Sequence, residues 1–116
     1  MRFEAERYDD DVRFLGKNVE AIGVVKDRLF LLLVLRVESS HQNRGVGLCA
    51  LREIALWCRD QGVRRIDVDD MSDRHRCAHN VYLKTGFQYM ADTGPEMYAT
   101  PQKIVQETRG LFLNEK

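Results

Sequence analysis

LFLLLVLRVESSHQNRGVGLCALREIALWCRDQGVRRIDVDD, from Leu29 to Asp70, carries the pattern that decides the fold. Its opening run, Leu29 to Val37, is apolar on both faces, which fits a central strand covered on both sides. A buried helix has the same composition, but the bounded length and the turn signals on either side favour a strand. LCALREIALWCRDQG follows, with Leu48, Leu51, Ala55 and Cys58 at i, i+3, i+7 and i+10, one face of a helix. Gly62 stands just past its end, where a left-handed residue closes a helix. RRIDVDD then reads as a short strand with Ile66 and Val68 turned inward. Strand, helix and strand in this order make a crossover between two parallel strands.

Upstream, Val12 to Leu15 and Val19 to Val25 are short β-prone runs. Gly16, Lys17 and Asn18 make the turn between them, and Lys26 and Asp27 make the next. Downstream, a second helix is predicted from about Arg74 to Thr85, stopping at Gly86. Phe87 to Met90 and Glu96 to Thr100 read as two short strands joined by a loop with Gly94 and Pro95. Thr100 and Pro101 form an N-cap and first helical residue, opening a terminal helix through about Arg109.

Composition narrows the functional classes. The 116 residues are 44% hydrophobic and 31% charged, too apolar for a disordered chain and long enough for a modest core. One domain over residues 1–116 is expected, with about 12–100 as its core and 101–116 as a C-terminal helical extension. Eighteen basic residues balance eighteen acidic ones, whereas domains that grip nucleic acid carry a basic excess. Nucleic acid is therefore not an expected partner. The charged opening MRFEAERYDDD is no signal peptide, and the run Leu29 to Leu35 is far short of a membrane span. Cys49, Cys58 and Cys77 are odd in number and lack CxxC spacing, so no disulfide framework is expected. A cytoplasmic location follows, with no membrane partner.

QNRGVG, Gln42 to Gly47, is the informative stretch, because it joins the buried strand to the amphipathic helix. The first N–H groups of a helix have no intrahelical partner, and the helix dipole adds positive potential there. Glycines at 45 and 47 let a ligand approach the backbone, so the turn can cradle a phosphate or diphosphate. The same glycines also suit a plain strand-to-helix turn. A P-loop would require a lysine that is absent here, and the spacing does not match a dinucleotide-binding fingerprint.

Gln42, Gly45 and Gly47 after a hydrophobic strand ending in Val37 give Q-x-x-G-x-G. This is similar to the acetyl-CoA-binding motif of GNAT acetyltransferases. SDRHRCAHNVYLKTGF, Ser72 to Phe87, resembles the family's later segment HR-x-x-AH-x-F-Y-x-x-x-G-F at His75, Arg76, Ala78, His79, Tyr82, Gly86 and Phe87. It departs from it by one residue missing between Arg76 and Ala78, and by Val81 where phenylalanine is common. The resemblance runs from about Val12 to Thr100, with both motifs in order.

The resemblance implies an α/β (α+β) fold: a mixed, mostly antiparallel sheet with helices on both faces and a central parallel strand pair splayed around the cofactor. It implies acetyl-CoA as cofactor, held by Val37, Gln42, Asn43, Arg44, Gly45, Val46 and Gly47. It implies Tyr82 as the general acid that protonates the departing thiolate. The activity implied is acetyl transfer to a primary amine of a small molecule, a protein lysine or a protein N-terminus.

Glu38, Asp69, Asp70 and His79 are candidate bases by rough position, and none is singled out. His75 and His79 lie four apart beside Cys77, but further zinc ligands are not visible, so no metal is expected. Cys49, Cys58 and Trp57 read as packing residues.

Members of that family usually carry two helices between their first two strands, and too few residues precede Val12 to build them. Met1–Tyr8 is long enough for one strand. A bulky, exposed acceptor or a second subunit would complete the acceptor side, the latter making a homodimer through Leu111, Phe112 and Leu113. Two rival readings are a GNAT-like module that binds acyl-CoA or a protein without turnover, and a nucleic-acid-associated regulator.

Overall fold

The computed structural model describes residues 3–38, 45–71 and 80–109. Four strands open the chain: β1 (Phe3–Tyr8), β2 (Asp11–Gly16), β3 (Val19–Lys26) and β4 (Leu29–Val37). They form an antiparallel meander whose tight turns use left-handed residues, Asn18 (φ 67°) in one and Asp27 and Arg28 (φ 53° and 73°) in the next. Positive φ at both central residues suits a two-residue hairpin, because its twist matches that of the strands. That turn lies one residue later than the sequence pattern places it.

Helix α1 (Val46–Asp60) crosses to β5 (Arg65–Asp69), which pairs parallel with β4. Gly62 follows α1 with φ 79°, the left-handed closure expected there. Cys49, Ala50, Leu51, Ile54, Ala55 and Cys58 form its buried stripe, while Leu48 is only half-buried. The chain continues through α2 (Val81–Lys84), β6 (Gln88–Tyr89), β7 (Glu96–Ala99) and α3 (Pro101–Glu107). Thr100 caps α3 by accepting from the Lys103 amide at 3.1 Å, with Pro101 as the first helical residue. The sheet has seven strands in the order β1-β2-β3-β4-β5-β7-β6, and β4–β5 is its parallel pair.

One apolar cluster holds these elements together. Phe14, Phe30 and Trp57 meet edge to face, with centroids 5.3 to 6.4 Å apart, and Ile54, Ile66, Met97 and Ile104 are fully buried around them. Such ring pairs add to the gain from area alone. Trp57, Cys49 and Cys58 are thus packing residues, as their types suggest.

Two expectations are corrected. The second helix does not run unbroken from Arg74 to Thr85. Asn80 has extended backbone angles (φ −62°, ψ 127°), and its side chain caps a new helix beginning at Val81. Nor is β4 covered on both sides. Phe30 and Leu32 are buried, whereas Leu29, Leu31 and Leu33 are 36%, 38% and 55% exposed. Residues of the three described helices pack against the apolar cluster that includes Phe14 and Phe30. No helix among the described residues is long and apolar enough to cross a membrane.

Candidate functional site

Strands β4 and β5 stay paired only from Leu29–Arg65 to Leu32–Val68. At that point Ile22 on β3 faces Val34 and Gly23 faces Leu32, leaving Leu33 as the extra residue of a β-bulge. A bulge bends its strand and sharpens the twist. Leu33–Val37 then continues along β3, while β5 turns towards β7, with Asp69 opposite Glu96 and the Asp70 amide bonded to the Pro95 carbonyl at 2.9 Å. The result is a fork at the carboxyl ends of two parallel strands, where open α/β sheets place their ligands.

Helix α1 begins beside this fork. Its N-cap is Gly45, at φ 80°, ψ 3°, with no side-chain cap bond and no acidic residue in the first turn. The first amides and the helix dipole therefore offer positive potential that no carboxylate of that turn quenches. Gly47 lies between two other elements: a Cβ there would stand 3.4 Å from Val81 Cγ2 and 3.8 Å from Val37 Cγ2. The end of β4, the start of α1 and the start of α2 thus converge on one glycine.

That convergence brings together Val37, Gly45, Val46 and Gly47 of the expected cofactor segment, and sets Tyr82 one residue from the junction. Gln42, Asn43 and Arg44 lie outside the described residues, as do His75, Arg76, Cys77, Ala78 and His79.

Tyr82 is held firmly. Its amide donates to Asn80 Oδ1 at 2.7 Å, and its carbonyl accepts from Thr85 Oγ1 at 3.0 Å and the Phe87 amide at 3.1 Å. Its ring meets Phe87 edge to face at 5.5 Å. Burial, followed by the nearby Asp70 carboxylate, pushes its pKa up to about 12. A phenol in that state keeps its proton throughout the neutral range and can act as a donor.

The acidic cluster at the end of β5 separates into three different environments. Asp67 forms a two-pronged ion pair with Arg65 at 2.6 and 2.9 Å, and the Arg65 guanidinium sits 5.1 Å from the Tyr98 ring centroid. Asp69 is exposed. Asp70 is buried and accepts from the Asn80 carboxamide. Of the four candidate bases, Asp70 is thus committed to a structural partner, Glu38 and Asp69 are exposed, and His79 lies outside the described residues.

Asn80 was not among the residues the sequence singled out. The available signal was a cap-forming residue just ahead of Val-Tyr-Leu. Among the described residues no group of three His, Cys, Asp or Glu side chains is arranged to hold a metal. An open depression of about 250 Å³, lined by Phe3, Phe14, Leu56 and Trp57 among others, lies between α1 and β1–β2 and shares no residue with the fork.

Comparison with known proteins bears on the family and the fold. The family model described as "Acetyltransferase (GNAT) family" matches residues 10–87. No curated protein matches the sequence. Among solved structures, the chain is similar to the ribosomal-protein-S18-alanine N-acetyltransferase of Escherichia coli, with 18% identity and a TM-score of 0.59, covering 78% of this chain and 67% of that one. It is also similar to the PaiA N-acetyltransferase of Thermoplasma acidophilum in complex with coenzyme A, with 14% identity and a TM-score of 0.63, covering 78% and 59%. The IAA acetyltransferase of Bacillus cereus gives 12% identity and a TM-score of 0.65, covering 78% of each chain. At these identities the likeness concerns the fold. The chain spans between 59% and 78% of the length of these three proteins.

Proposed function

The chain belongs to the GNAT acetyltransferase family, and from that premise we propose that it transfers an acetyl group from acetyl-CoA to a primary amine. The observation that supports the reading best is the meeting of Val37, Gly47 and Val81 at the mouth of the β4–β5 fork. The backbone there suits an elongated anionic ligand. Val46 and Gly47 present first-turn amides, Gly45 adds no side chain, and Val37 flanks the fork. Gln42, Asn43 and Arg44 complete the set by motif.

Bound acetyl-CoA supplies an acetyl thioester. Tyr82 would supply the proton that the leaving thiolate needs: as the amine nitrogen bonded to the carbonyl carbon and the carbon–sulfur bond broke, its hydroxyl would protonate the sulfur. Burial and the neighbouring Asp70 keep the phenol protonated at neutral pH, so the proton is present to be given. Asp70 is buried and engaged by Asn80, which fits a place in the fold better than contact with the incoming amine. The exposed carboxylates Glu38 and Asp69 and the solvent remain to accept the amine proton.

The acceptor reaches the fork from the open face beside Leu33. That openness favours a bulky amine such as a protein lysine or N-terminus, or a second copy of the chain that narrows the approach for a small amine. The reading includes a cytoplasmic setting, which three cysteines without the spacing of a disulfide framework suit.

Calorimetry with acetyl-CoA and turnover with a panel of amines test the reading. We expect saturable binding, and turnover that falls about 10²-fold in Tyr82→Phe with affinity for acetyl-CoA retained. Binding without turnover on any peptide or small amine would instead favour a non-catalytic acyl-CoA module. Absence of binding in folded protein would overturn both.

A further inference from the structure

Asp70 and Asn80 are the most deeply buried polar pair beside the fork, 2% and 1% exposed. A carboxylate and a carboxamide at such depth are costly unless bonded. Here each meets the other: Asn80 Nδ2 donates to Asp70 Oδ2. The opposite end of the same carboxamide accepts from the amides of Tyr82 at 2.7 Å and Leu83 at 3.2 Å. The Asp70 amide in turn donates to Pro95. One side chain therefore links the end of β5, one arm of the fork, to the first turn of α2.

The link matters because α2 has only four residues. A single turn is not stable by itself, so what anchors it sets where its side chains stand. Thr85 and Phe87 hold the carbonyl end of Tyr82, and neither belongs to the fork. Asn80 supplies the connection from the fork to its amide end.

We propose that Asp70 and Asn80 act as a positioning pair that sets the Tyr82 hydroxyl relative to the β4–β5 fork. This rests on the reading of Tyr82 as the proton donor. Neither residue touches the reacting atoms. They act through the placement of the turn that carries the phenol, where an error near 1 Å costs on the order of 10²-fold in rate.

Asn80→Ser separates placement from capping, since serine is a good N-cap but too short to reach Asp70. We expect kcat to fall about tenfold with the KM for acetyl-CoA within about twofold, an intermediate loss on the scale set by misplacement. Asp70→Ser should behave alike and serves if Asn80→Ser does not fold. Asp70→Asn, which keeps an acceptor opposite Asn80, should recover most of the kcat lost in Asp70→Ser. In a Tyr82→Phe background, Asn80→Ser should cause no further loss.

Losses that multiply in that background would overturn the proposal, because the pair would then act on the fold at large. Full kcat in Tyr82→Phe alone would sink the donor reading, and with it the purpose assigned to the pair. Independently of turnover, the ring signals of Tyr82 and Phe87 in NMR spectra of the free protein should move in Asn80→Ser and stay near their places in Asp70→Asn. Unmoved signals in Asn80→Ser overturn the proposal even where Tyr82→Phe is slow.

Discussion

Leu32 and Leu33 are neighbours in β4, yet Leu32 is 2% exposed and Leu33 is 55% exposed. Period-two alternation puts one in the core, and the bulge at Leu33 leaves the other on the open face beside the fork. Truncation should therefore have very different costs. We expect Leu32→Ala to lower unfolding free energy by about 2 to 5 kcal/mol. Leu33→Ala should stay within about 0.5 kcal/mol. Urea denaturation of the two variants checks this, and equal losses would mean the second face is covered.

Gly47 tests the junction of the three elements. A Cβ at 3.4 Å from Val81 Cγ2 is ordinary contact, and alanine is the better helix former. Gly47→Ala should keep its thermal midpoint and its affinity for coenzyme A. Gly47→Leu has no room between Val37 and Val81 and should lower both.

Gly45 differs, because a Cβ there meets nothing within 4 Å while φ is 80°. The cost of Gly45→Ala is then conformational, about 1 to 2 kcal/mol for a left-handed residue. Gly45→Asn should cost less, since asparagine tolerates that conformation. Equal destabilisation by the two substitutions, measured by denaturation, would contradict this account.

Alkali should unfold the protein through two groups. Burial raises the Cys58 thiol from 9.0 to about 12, and burial with Asp70 raises Tyr82 from 10.0 to about 12. Both bind their protons more tightly folded than unfolded, so their stabilisation is whole below pH 9 and is lost as pH rises towards 12. Unfolding free energy should fall across that window, and less steeply from pH 10 in Tyr82→Phe. At pH 8 the folded Cys58 should resist alkylation, as mass spectrometry of iodoacetamide-treated protein would show.

Much of this was legible beforehand. The β4–α1–β5 crossover followed from an apolar run, a helical stripe and a closing glycine, all local signals. Thr100–Pro101 opened α3 as read, because capping is local too. The predicted second helix stops at Thr85–Gly86 as read, but the new start at Val81 was not legible: Asn80 fits a helix interior by spacing, and its bonds to Asp70, Tyr82 and Leu83 make it a cap. The coverage of β4 failed for a related reason. Leucines on both faces report what a strand could bury, while what lies above each face depends on distant segments. The junction at Gly47 joins residues 37, 47 and 81, which no spacing rule connects.

The parting of β4 and β5 has a further consequence for solubility. Unpaired strand margins usually lie on the outside of a sheet, where they recruit other chains into aggregates. Here, among the described residues, the pairing of two adjacent strands lapses in mid-sheet, beyond Leu32 and Val68. A lapse flanked by strands on both sides carries less of that risk than an outer margin does.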